Sequence, residues 1–141
     1  MTAPGTMTLV ELQTLIADSK GEWEHIEFKK TTGELQGGMV TLCGFLNGSG
    51  GKVLFGVTNA GKIQGQDTTD ATFQDVANAI RKLEPPVWIA QIRIPVSGTK
   101  EVLILETTLR TVRQDLTLLR QVDLVDGAGR GAGARWWLVT P

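Results

Sequence analysis

The chain has 141 residues, 41% of them hydrophobic and 21% charged, which suits one soluble domain with one core and leaves no room for two. Its net charge of −1 argues against strong nucleic-acid binding by the whole surface, while a local basic patch stays open. One cysteine, Cys43, and one histidine, His25, exclude an internal disulfide and a Cys/His zinc site within the chain, and no apolar run approaches a membrane span.

The N-terminus, MTAPGTMT, carries neither the basic region nor the apolar core of a signal peptide, so a cytoplasmic location is expected. Thr8 followed by Glu11 fits a capping box that opens a helix running to about Asp18, with Leu9, Leu12, Leu15 and Ile16 on one face. Glu22 to Lys30, EWEHIEFKK, alternates as a strand: Ile26 and Phe28 on one face, His25, Glu27 and Lys29 on the other. Leu35, Met39, Leu42 and Leu46 then recur at helical spacing. Gly37, Gly38 and Gly44 each weaken that helix by roughly 1 kcal/mol relative to Ala, so they imply close packing against another backbone. Asn47-Gly48 suits a left-handed helix end.

The apolar run from Gly51 to Val57 reads as a central strand, and Asn59-Ala60-Gly61 as a hairpin turn into a short strand around Ile63. A third helix is expected from Thr69-Asp70, with the stripe Phe73, Val76, Ala77, Ile80 and Leu83, ended by Pro85-Pro86. Val87 to Ile94 and Glu101 to Glu106 read as neighbouring strands joined by Ser97-Gly98-Thr99. The fold class is α/β in the α+β sense: a single domain over residues 8–106, with a mixed central sheet of about five strands and about three packed helices. Residues 107–141 form an atypical tail. It holds 5 basic and 3 acidic residues, against 9 and 12 in the part up to Glu106, and is Gly-rich at 127–133. Leu109, Val112, Leu116 and Leu119 suit a helix there and Val122 to Val125 a strand. Trp136 and Trp137 either plug back onto the domain, the favoured reading, or lie exposed as a contact surface.

The loop Gly48-Ser49-Gly50-Gly51-Lys52 fails the phosphate-loop test, because Val53 follows the lysine and the helix precedes the loop. The second glycine stretch, around Gly129-Arg130-Gly131, lacks a dinucleotide-type helix after it. Glu22, Glu24 and Glu27 could hold a divalent ion that activates water for phosphodiester cleavage, or form a solvated charged strand protected by its lysine pair; the second is the commoner arrangement. His25 reads as a packing residue and Cys43 as an inert buried thiol.

Four motifs stand in order: Glu27-Phe28-Lys29; Phe45, Asn47, Gly50 and Gly51; Gly51, Leu54, Gly56 and Val57; and Gly61, Ile63 and Gly65. Together they resemble the Schlafen AlbA-2 domain family, also described as divergent AAA-4, over about residues 9–106. The resemblance implies a nucleic-acid-associated domain of the kind found in bacterial transcriptional regulators and ATPase-linked proteins. Animal Schlafen relatives cleave RNA with two glutamates and an aspartate. Glu22 and Glu27 stand at positions resembling the glutamates, whereas Thr58 and Asn59 occupy the place of the aspartate. The family's tyrosine-containing segment after the last strand is also missing.

The leading expectation is therefore a non-catalytic module that binds DNA or RNA without a cofactor. Lys29, Lys30, Lys52 and Lys62 would contact phosphates, Asn47, Gly50 and Gly51 would shape the turn, and Gly56 would let another backbone approach the central strand. The alternatives are an Mg²⁺- or Mn²⁺-dependent ribonuclease using Glu22 and Glu27, and a protein-interaction module that self-associates into a homo-oligomer through its C-terminal tail.

Overall fold

In the computed structural model the described residues are 7–19, 25–107 and 136–139. Helix α1 (Leu9–Ser19) opens with the expected reciprocal cap: Glu11 N donates to Thr8 Oγ1 at 3.2 Å and Thr8 N to Glu11 Oε1 at 3.1 Å. Strand β1 (Ile26–Lys29) buries Ile26 and Phe28 on one face and leaves Glu27 and Lys29 half-buried on the other. A short 3₁₀ turn (Thr32–Glu34) leads into α2 (Leu35–Leu46), and β2 (Lys52–Phe55) returns parallel to β1. This is a strand–helix–strand crossover, the geometry that a parallel pair requires.

Strand β6 (Lys100–Glu106) is the centre of the mixed five-stranded sheet. One of its edges carries β5 (Ala90–Ser97). The other carries β2 and then β3 (Gln66–Asp67) in tandem, with Lys52 opposite Glu106 and Gln66 opposite Glu101. Residues 56–65 leave the sheet as a loop between β2 and β3. They are closed at the base by Gln64 N and Gly65 N, which both donate to Gly56 O. The expected strand at Ile63 is a single bridge to Val57, with Gly61 in the left-handed region at φ +86°.

The sheet is covered on both faces. Val53, Phe55, Leu103 and Leu105 pack with α2 and α3 (Asp70–Arg81), while Leu54, Val102 and Ile104 pack with Leu12 of α1 and with Ile26, Phe28, Ile92 and Ile94. That explains why the runs VLF and VLIL are apolar without alternation. Helix α3 starts at the expected cap, where Thr69 and Thr72 bond each other's backbone.

Three expectations are corrected. Gly38 and Gly37 face side chains rather than a backbone: a Cβ at Gly38 would lie 2.6 Å from Phe55 Cζ, and one at Gly37 3.4 Å from Lys29 Nζ, while at Gly44 nothing lies within 4 Å. Asn47 is right-handed at φ −82°. The left-handed residue at this helix end is Gly50, at φ +92°, and its N–H donates to Phe45 O. Finally, α3 stops at Arg81 and Leu83 joins β4 (Leu83–Glu84), because β4 pairs with β7 (Trp137–Leu138) from the far end of the chain. The same pairing resolves the two tryptophans: Trp136 is 2% exposed in the core and Trp137 is 58% exposed. The expected helix or strand between 109 and 125 and the glycine-rich stretch 127–133 lie outside the described residues.

Candidate functional site

The parallel pair β1–β2 has an open groove at each end. At the start of the two strands, about 540 Å³ is lined by His25, Ser49, Gly50, Gly51, Lys52, Glu106 and Thr107. Its polar groups are mutually engaged. Lys52 Nζ sits 2.7 Å from Glu106 Oε2, His25 Nδ1 lies 3.0 Å from Gly50 O, and Gly51 N donates to Thr107 Oγ1 at 2.8 Å. Gly51 is needed here because a Cβ would come within 2.8 Å of both His25 O and the Phe45 ring. The glycine turn is thus a packing joint between the end of α2 and β1.

The second groove, about 630 Å³, lies beyond the carboxyl ends of β1 and β2, the end at which open α/β sheets place ligands. Its walls are Thr31 to Gly33, the loop Lys62 to Asp67, and Lys100. Gln66, 7% exposed, fastens one wall to the other: its Oε1 accepts from Thr32 N at 2.7 Å and its Nε2 donates to Thr32 Oγ1 at 2.9 Å. Thr31 Oγ1 accepts from Gly33 N, and Asp67 accepts a hydrogen bond from Thr99. The exposed amines of Lys62 and Lys100 lie in no ion pair among the described residues. Lys30, also exposed, immediately precedes this wall.

The four lysines named from sequence therefore do not converge. Lys62 and Lys30 belong to the second end and Lys52 to the first. Lys29 lies half-buried against α2, 3.7 Å from Glu27 Oε1. Lys100 and Gln66 escaped the sequence reading, although Gln66 directly follows the turn motif that ends in Gly65. Placing Lys100 beside Lys62 requires the tandem register of β2 and β3 on β6, which no local pattern announces.

Glu27 faces Lys29, and Glu22 lies outside the described residues. Thr58, at the expected aspartate position, is used within its turn: its Oγ1 accepts from Lys62 N and its N–H donates to Lys62 O. Among the described residues no three His, Cys, Asp or Glu side chains come together, so those residues do not form a fitting set for Mg²⁺ or Mn²⁺. The structural motif residues have clear roles. Gly56, at φ +108°, lets Gly65 and the carbonyl of Glu101 approach, as the expected backbone contact requires. Asn47 clamps the backbone of Trp136 from both sides.

The ordered motifs and this sheet coincide with a family match: the model described as Schlafen, AlbA_2 matches residues 22–117. The chain belongs to the Schlafen AlbA_2 family. The AlbA_2 match begins after α1, takes in both grooves and runs past β6, while Trp136–Val139 lies beyond it. No protein of curated function matches the chain. Among the described residues of this AlbA_2 protein, no helix is long and apolar enough to cross a membrane.

Cys43, half-buried on α2, donates its thiol to Trp136 O at 3.3 Å, and burial pushes its pKa up. Less thiolate at neutral pH means slower alkylation. Iodoacetamide at pH 8 is expected to label native Cys43 at least about tenfold more slowly than the urea-unfolded chain. Equal rates would contradict the buried placement.

Proposed function

We propose that this AlbA_2 domain binds nucleic acid through phosphate contacts at the groove beyond the carboxyl ends of β1 and β2, with no chemistry of its own. The carrying observation is the pair Lys62 and Lys100 on one open groove, with Lys30 beside it, while Lys52 at the other end and Lys29 against α2 are each matched by a carboxylate. The family supports the same reading, since the AlbA_2 resemblance implies nucleic-acid association. Gln66, Thr31, Thr32 and Asp67 spend polar atoms on internal hydrogen bonds. The groove therefore offers charge more readily than base-edge recognition, and contacts of that kind position a strand without reading its sequence. Lys29 and Lys52 are secondary contacts in this reading, each shared with a glutamate. A role in bacterial transcriptional regulation follows from the resemblance alone.

The test is a salt series with labelled single-stranded DNA, duplex DNA and single-stranded RNA of mixed sequence. The expected result is binding at about 50 mM salt that falls linearly in log K against log salt, with little change on scrambling the sequence. Absence of binding to all three at that salt would refute the proposal.

A further inference from the structure

Arg93 stands at an exposed position of β5, yet its side chain is fixed from two sides. Its guanidinium carbon lies 4.2 Å over the centre of the Phe73 ring, near the start of α3. Its Nε and Nη2 both sit 3.0 Å from Glu101 Oε1, an oxygen that also accepts from Thr68 Oγ1. Glu101 is buried, whereas 57% of the Arg93 side chain still meets solvent. A flat cation is thus held over a ring, with its charge matched and its outer side open.

Holding a long side chain in one geometry at the surface costs conformational entropy, and an exposed ion pair returns little of it. The same arrangement suits a stacking platform. The guanidinium is planar and already in place, so little more is lost when a second flat group lands on it.

We infer that the outer face of Arg93 is a stacking subsite for one unpaired nucleobase at the end of the phosphate groove. This rests on the reading of that groove as a nucleic-acid contact, and two observations carry it further. The first is placement. Gln66, which fastens the groove walls, is opposite Glu101, and Arg93 is opposite Leu103, so Gln66, Glu101 and Arg93 share one face of the sheet. Thr68, bonded to Glu101, continues directly from the wall that ends at Asp67, and Lys100 is the chain neighbour of Glu101. A strand whose phosphates meet Lys62 and Lys100 can leave the groove beside this platform.

The second observation is charge. Glu101 cancels the guanidinium, so the subsite offers a plane where the groove offers charge. A base face is the part of a nucleic acid that such a plane takes, and proteins that hold single strands combine a basic groove with stacking of this kind. Inside a duplex each base face is covered by its neighbours. The subsite therefore adds to single-strand binding a contact that a duplex cannot make.

The probes are a fluorescein-labelled single-stranded DNA of about eight nucleotides and mixed sequence, an abasic strand of the same length, and the matching duplex. At about 50 mM salt the wild type is expected to bind the base-bearing strand about tenfold more tightly than the abasic one, with equal salt slopes. Arg93→Lys keeps a cation for Glu101 and removes the plane. It is expected to weaken binding of the base-bearing strand about tenfold, to leave the abasic strand and the duplex within about twofold, and to keep the salt slope.

Equal affinity of the wild type for base-bearing and abasic strands overturns the subsite without any variant, and a normal salt slope then leaves the groove reading standing. A preference for bases that persists in Arg93→Lys places the stacking elsewhere and also overturns it. So does a uniform loss on all three probes, which is what a purely structural clip between α3 and β5 would give. Binding of none of the probes to the wild type removes the groove reading and the subsite together.

Discussion

Gly56→Ala is expected to lower the melting temperature by roughly 10 °C or more, the largest single-residue loss outside the apolar core. The residue sits at φ +108°, where an L side chain is strained by about 1–3 kcal/mol. Its new Cβ would also stand 3.1 Å from Gly65 Cα and 3.3 Å from both Glu101 O and Val102 Cγ2. Two of these neighbours are backbone atoms, and they belong to the sheet centre and to the base of the loop, so none can retreat alone. Overpacking of this kind costs a further ~1–3 kcal/mol. The sum, about 2–6 kcal/mol, is a large part of a domain's usual stability of ~5–15 kcal/mol. At about 3–4 °C per kcal/mol for a chain of this size, the shift follows. Gly44→Ala is the internal control. It lies exposed within α2 with nothing inside 4 Å of the built Cβ, so the substitution is expected to stabilise by about 0.5–1 kcal/mol. Circular-dichroism melts of both variants check the pair. A Gly56→Ala chain melting within about 2 °C of wild type would show that the loop base can relax, contrary to the packing at the base of the loop.

Gly56 also shows what the sequence could tell. A glycine inside an otherwise apolar strand signals a close backbone approach, and the approach is there. Thr8, Glu11 and Thr69 announced two helix starts because caps are local chemistry, written within four residues. The double-sided burial of Val53 to Phe55 and Val102 to Leu105 was likewise written in uninterrupted apolar runs. Contacts set by distant partners were not legible. Leu83 continues the α3 stripe by spacing, yet it pairs with Leu138, and its placement depends on a segment 55 positions away. Asn47 looks like a helix-ending residue, but its side chain spends itself on Trp136, 89 positions on. Lys100 carries no signal between the turn Ser97-Gly98-Thr99 and the strand that follows, and only the register of β3 on β6 brings it to the groove that Lys62 lines. The candidate site was therefore half visible: the loop residues carried motif signals, and the cation opposite them carried none.

Reversing that pair, Lys62→Glu with Lys100→Glu, is expected to weaken nucleic-acid binding about 100-fold at low salt and to flatten its salt dependence. Each lysine that neutralises a phosphate contributes about 0.9 to the slope of log K against log salt for duplex DNA, and about 0.7 for a single strand. Losing both should reduce the slope by nearly two units on duplex DNA, uniformly across sequences. The magnitude follows from replacing two attractions with two repulsions, at roughly 1.4 kcal/mol or tenfold each. Lys52→Glu is the discriminating comparison. Lys52 is 2.7 Å from Glu106 at the opposite end of β2, so its reversal mainly sets two carboxylates against each other, and its effect on binding should stay within about threefold. Both proteins should melt near the wild-type temperature, because the residues changed are surface or partly exposed. If Lys52→Glu costs more affinity than the Lys62 and Lys100 pair, the contact lies at the glycine turn. The ion pair with Glu106 would then have to open on binding, and the groove beyond β1 and β2 would lose its assignment.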